Sequence, residues 1–157
     1  MEFLARLEST GFATWVRESP SLFAYPGILF LHTVGLSLLV GTNVAIDLRL
    51  LGRSRDLPLA PMESFFRVMW IGFWINALSG TALLIADAAT KLINPVFYIK
   101  LACIAFGVFT MVQIRRRVFH GRSRGRALAV ASLAVWAGAI TAGRLMAYFG
   151  PVSGMSQ

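Results

Sequence analysis

Four apolar stretches, each long enough to cross a lipid bilayer, constrain this chain more than anything else in its sequence. They occupy residues 21–48, 62–86, 95–114 and 127–149. A bilayer's hydrocarbon core is about 30 Å thick and a helix rises about 1.5 Å per residue, so roughly 20 apolar residues span it. Lipid offers nothing to an unpaired backbone N–H or C=O, so such a stretch must satisfy its own hydrogen bonds as a helix. The expectation is an all-α integral membrane four-helix bundle, forming one membrane domain over residues 1–157. Composition agrees: 57% of residues are hydrophobic, above the roughly 45–50% of soluble domains.

The charges lie between these stretches. The net charge of +8 would suggest nucleic acid in a soluble protein, but here the basic residues flank apolar runs. Arg49, Arg53 and Arg55 follow the first run, and Arg115, Arg116, Arg117, Arg122, Arg124 and Arg126 follow the third. Loops rich in arginine stay on the cytoplasmic side. This places the chain in a bacterial inner (cytoplasmic) membrane as a multi-pass protein, with both termini on the periplasmic side. No nucleic-acid partner is expected. No cleavable leader pattern is visible at the start, so insertion is expected to use the first span.

Residues 1–19 read as an amphipathic interfacial helix. Phe3, Leu4, Leu7, Phe12, Trp15 and Val16 alternate with Glu2, Arg6, Glu8, Arg17 and Glu18. Such a helix lies at the lipid surface with its aromatic face down. Gly11 is expected to break it, with Thr10 as a cap, and Ser19-Pro20 turns the chain into the bilayer. Asn94-Pro95 reads as a helix start. Ala134, Gly138 and Ala142 form a small-residue ridge that favours close packing, within the bundle or between subunits. A homo-oligomer, dimer or trimer, is expected from it. Cys103 is a single cysteine in an apolar run, read as a small buried hydrophobe.

One residue stands out in the first span. His32 sits among Leu29, Phe30, Leu31, Thr33 and Val34, and ionisable groups in hydrocarbon are costly enough to mark function. Tyr25, His32, Leu39, Asn43 and Asp47 share one face of the helix, which should therefore turn toward protein. His32 lies about nine residues from the outer start of its span, roughly 13 Å deep. Lys100 and Arg144 lie about five residues, or roughly 7 Å, from the outer ends of theirs. Asn76 and Tyr148 belong to the same half. Asp47, Arg49 and Arg67 form a second group at the inner edge, read as an ion pair at the helix ends.

A lone imidazole with cations nearer the surface suits haem b. His32 would be an axial ligand, Lys100 and Arg144 would pair with the propionates, and Trp74 would wall the macrocycle. The reading is a membrane cytochrome for electron transport, with a redox partner. Copper is the alternative, since imidazole and thioether suit copper(I) and Met146 is the methionine at a useful depth. A third reading is a non-catalytic structural subunit in which His32 is simply hydrogen-bonded inside the bundle. Lys100 and Arg144 can equally snorkel to the interface, and His120 reads as a solvated loop residue. No nucleophile–base pair, zinc motif or phosphate loop is present, so no catalytic residues are assigned.

The residues His32-x-x-Gly35 with Gly41, then Asp47-x-Arg49-x-x-Gly52, Asn94-x-x-Phe97-x-x-Lys100 and Gly143-Arg144, resemble an uncharacterised family of small four-span bacterial membrane proteins. The likeness covers nearly the whole chain. It is also distantly similar to the membrane domain of the copper-resistance D (CopD) proteins, where a similar histidine precedes a glycine-rich helix segment. That resemblance implies copper handling, and related bundles carry haem. This chain departs from the copper-resistance pattern in having fewer spans and no further membrane histidine.

Overall fold

The computed structural model describes residues 6–53, 56, 58–120 and 125–149, and the side chains of the last helix as far as Met146. Among the described residues every regular element is helical. In chain order these are α1 (Gly11–Glu18), α2 (Tyr25–Leu51), a 3-10 turn (Ala60–Ser64), α3 (Phe65–Ala86), α4 (Ala88–Leu92), α5 (Pro95–Ile114), a π-helical turn (Arg115–Phe119) and α6 (Arg126–Phe149). Four of these segments, α2, α3, α5 and α6, are long and apolar enough to cross a membrane. Their outward faces are apolar: Phe106 is 62% exposed, and Phe23, Phe30 and Leu78 are exposed as well. In water such a surface would aggregate, whereas lipid accepts it. The chain is an all-α helical bundle with the features of a multi-pass membrane protein.

The caps follow the sequence. Thr10 accepts a hydrogen bond from the Ala13 N–H, and Asn94 accepts from the Val96 N–H, each closing an orphan donor of its helix. Gly52, with φ 88°, ends α2: its N–H bonds to the Arg49 carbonyl and the Arg53 N–H reaches back to Leu48. Two elements differ from expectation. The connection after the second span contains a short helix, α4, and the basic stretch after the third continues as a π turn. In that turn the His120 N–H reaches the Arg115 carbonyl at 3.3 Å, five residues back.

The helices pack as two hairpins. α2 lies chiefly on α3 and α5 chiefly on α6, and contact between α2 and α6 joins the pairs. Each hairpin is held by very close approach. A Cβ on Gly35 would stand 2.6 Å from the Asn76 nitrogen and 2.9 Å from the Gly72 oxygen, and one on Gly72 would stand 2.8 Å from the Gly35 oxygen. Only glycine permits this backbone contact. In the second hairpin a Cβ on Gly107 would fall 2.7 Å from the buried Trp136 indole. The small-residue ridge of α6 is used partly inside the bundle, with Gly138 against the Cys103 sulfur, while Ala134 is exposed.

Both arginine-rich connections are at one end, where Arg126 donates to the Leu51 carbonyl. Arg55, Arg122 and Arg124 lie outside the described residues. At the other end α1 packs on α3, burying Ala13 and Val16 while Trp15 stays 43% exposed. Arg17 donates to the Ala86 carbonyl at the end of α3, and Glu8 accepts from the Ala89 N–H at the start of α4. The amphipathic segment is thus tied to the bundle as well as shaped for a lipid surface.

Candidate functional site around His32

The Gly35–Gly72 contact brings α2 and α3 close enough for side chains to bond the opposite backbone. The His32 Nδ1 lies 3.0 Å from the Asn76 carbonyl oxygen and 3.1 Å from the Ser79 hydroxyl. In return the Asn76 side-chain amide donates to the His32 carbonyl at 2.8 Å. The Ser79 hydroxyl donates to the Ile75 carbonyl at 2.6 Å, which leaves its oxygen free to accept. A carbonyl cannot donate, so Nδ1 carries the proton in this network, and in a neutral imidazole the lone pair is then at Nε2. Among the described residues nothing bonds to Nε2. Gly80 makes room for the ring: a Cβ there would stand 3.0 Å from Cε1.

Two ammonium groups, Lys100 and Lys91, are near enough for their charge to reach the imidazole. Lys100 is half-buried on α5, its stem against Gly143 of α6. Lys91 lies in α4, outside the spans, where its Nζ donates to the Leu83 carbonyl at 2.7 Å and stands 3.8 Å from Asp87. Burial holds the Lys91 ammonium below the usual lysine range, with Asp87 working in the opposite direction.

Of the residues the sequence singled out, Asn76 is joined to His32 and Lys100 is nearby. Trp74 is not. It is 58% exposed, packed edge-on against Phe73, because two residues from both Gly72 and Asn76 places it on the far side of α3. Arg144 is exposed on α6 just past Gly143. Met146 is half-buried on α6, and no described contact joins it to His32. The Tyr148 side chain lies outside the described residues. Gly80 was legible as sharing the Asn76 side of its span, but Gly72 and Ser79 were missed, although the spacing Gly72-x-x-x-Asn76-x-x-Ser79-Gly80 puts all four on one helical face. Tyr25, at the exposed start of α2, belongs to the polar stripe in register alone.

The inner group also differs from expectation. Asp47 is 0% exposed, and its Oδ2 accepts from the Asn43 amide at 2.7 Å. That amide also donates to the Ser132 hydroxyl of α6 at 2.7 Å, which makes this network a buried polar link between the hairpins. Among the described residues Asp47 Oδ1 has no hydrogen-bond partner, and neither has the Trp136 indole nitrogen. Arg67 is exposed and forms no ion pair with Asp47. The reason is geometric: residues 43 and 47 share the face turned to α6, whereas Arg67 points outward from α3.

His120 is exposed, as expected of a solvated residue, yet its Nε2 stands 3.6 Å from Glu63. Among the described residues no three His, Cys, Asp or Glu side chains converge as a metal site would require. Compared with known protein families, curated proteins and solved structures, the chain matches none.

Proposed function

We propose that the chain is a membrane b-type cytochrome-like electron-transfer protein that holds haem through His32. The supporting observation is the fixed imidazole: Nδ1 is committed to the Asn76 carbonyl, and Nε2 has no hydrogen-bond partner among the described residues. A metal-ligating histidine usually has this arrangement, because the bond at one nitrogen sets the tautomer and the ring orientation for the other. Gly80 keeps the ring's flank clear, and Lys100 and Lys91 supply positive charge in the same half of the bundle for an anionic group. The residues present would therefore hold a haem iron through a single protein ligand, His32. Bound there, a haem would supply one-electron redox chemistry.

The chain's own part is to exclude water, fix the imidazole and neutralise carboxylates. His32 is the ligand in this reading, Asn76 and Ser79 position it, and Lys100 is the partner for a propionate. Copper held by His32 with Met146 has less support, since the two are not joined by any described contact. The compartment belongs to the same proposal. Both arginine-rich connections share one end of the bundle, and the charge rule assigns that end to the cytoplasmic face of a bacterial inner membrane. A homo-oligomer would complete the coordination sphere with a residue of a second copy.

The test is a reduced-minus-oxidised visible spectrum of the detergent-solubilised protein after haem-replete expression. Sharp haem bands that disappear in His32→Ala would support the reading. A flat spectrum, or bands unchanged in that variant, would overturn it.

A further inference from the structure

At the arginine-rich end of the bundle, on the opposite half from His32, a cleft of about 480 Å³ opens between the start of α3 and the end of α5. Its walls are apolar: Phe66 and Trp70 from α3, Met111 and Val112 from α5. Its mouth is basic: Arg115, Arg116 and His120. The π turn produces this mouth, because a hydrogen bond five residues back stacks residue 120 over residue 115 instead of turning it away. The Arg115 guanidinium lies 5.7 Å from the centre of the Phe66 ring, so the basic rim and the apolar wall meet directly.

Charge at the mouth is not balanced internally. The Glu63 carboxylate stands 3.7 Å from Arg115 and 3.6 Å from His120, one anion facing both. Arg116 has no ion pair among the described residues. The mouth therefore carries excess positive charge where an apolar span meets the bilayer surface. A free inorganic anion would answer that charge but leave the Phe66–Trp70 wall wet. An uncharged apolar molecule would fill the wall but leave Arg116 unmatched. A second copy of this chain brings further arginines to the same end.

We propose that this cleft binds an anionic phospholipid, with the phosphate between Arg115 and Arg116 and one acyl chain along Phe66, Trp70, Met111 and Val112. Arginine suits this task because its planar donors meet phosphate oxygens in pairs. Basic pockets between membrane helices at the cytoplasmic face are a recurrent way to hold lipid head groups. Nothing in this assignment requires a bound haem.

The full chain, reconstituted in phosphatidylcholine vesicles, can be titrated with small fractions of dibrominated phosphatidylglycerol or dibrominated phosphatidylcholine while tryptophan fluorescence is read. Bromine quenches an indole only at close range, and Trp70 lines the cleft. The anionic lipid should quench with an apparent preference on the order of tenfold over the zwitterionic one. That preference should collapse in Arg115→Gln/Arg116→Gln and in Trp70→Phe. Arg117→Gln, which removes a charge at the same end but outside the cleft, should keep most of it. Inorganic phosphate should not compete. Val112→Phe, which fills the groove and leaves every charge in place, should also abolish the preference, so the test survives if the double variant fails to insert. Equal quenching by both lipids overturns the proposal. So does an Arg117→Gln loss as large as that of Arg116→Gln, which would mean diffuse attraction, and so does competition by inorganic phosphate.

Discussion

His32 and Asn76 are bonded twice across the α2–α3 crossing, imidazole to backbone carbonyl in one direction and side-chain amide to backbone carbonyl in the other. Each residue thus holds the other's helix as well as its side chain. In Asn76→Ala the imidazole keeps its carbonyl acceptor but α3 loses its grip on α2. The expected cost is roughly 1 kcal/mol, the range of a single hydrogen bond in a membrane bundle. Thermal unfolding in detergent would measure it, and a loss above about 4 kcal/mol would show that the pair does more than this geometry implies.

The glycines of the same crossing should be far less tolerant. Gly35→Ala and Gly72→Ala each place a methyl under 3 Å from opposing backbone, which cannot rotate away. Each should cost about 1–3 kcal/mol, since the helices must separate and their mutual bonds lengthen. Gly41→Ala is the internal control: its added methyl meets nothing within 4 Å. It should be neutral or stabilising by up to about 1 kcal/mol through helix propensity. Equal effects at residues 35 and 41 would contradict the crossing.

The Asn43–Asp47–Ser132 network leads to an asymmetric expectation. Asp47→Asn keeps an oxygen to accept from Asn43 and should shift stability by no more than about 1 kcal/mol. Asn43→Ala removes the amide that donates to both Asp47 and Ser132, and leaves Asp47 with the Ser132 hydroxyl alone. That change should cost about 1–3 kcal/mol, because a buried carboxyl loses one of its donors and cannot replace it with water. Unfolding of both variants, followed by circular dichroism, tests the order.

Lys91 gives a pH dependence whose sign can be worked out. Burial lowers its affinity for the proton in the folded protein, so the unfolded chain binds that proton more readily below the ordinary lysine pKa of about 10.4. Stability should therefore rise as pH climbs through the alkaline range below that value, with the penalty present in full at neutral pH. In Lys91→Met this contribution to the slope should vanish. Melting temperatures of both proteins across that range would show it, and identical slopes would refute it.

Much of the bundle was legible because spanning a bilayer demands a long apolar run, and such runs stand out whatever surrounds them. The third span begins where expected, at Pro95, but continues past Ile114 through the π turn to Phe119, and the first runs Tyr25–Leu51 rather than 21–48. α4 was not legible, since five residues carry no periodicity. The π turn was missed because an arginine run reads as a loop although the helix continues through it. In the site, Asn76 could be placed with His32 by depth, but Ser79 and Ser132 could not. A lone serine in an apolar helix says nothing until the neighbouring helix is known. Trp74 was legible as lying on the side of its helix opposite Asn76, and it stands there, exposed, away from the ring it was expected to wall.

Two of the tight helix contacts, Gly35 on Gly72 and Gly107 on Trp136, each join helices that are neighbours in the sequence. The chain therefore need not wait for its end to be made before its first half closes. Once residue 86 is in the membrane, α2 and α3 hold everything their crossing requires, and the histidine already has both of its partners. The second hairpin can then form on its own and dock through Asn43 and Ser132. Assembly in this order gives the imidazole its final orientation while half of the protein is still on the ribosome.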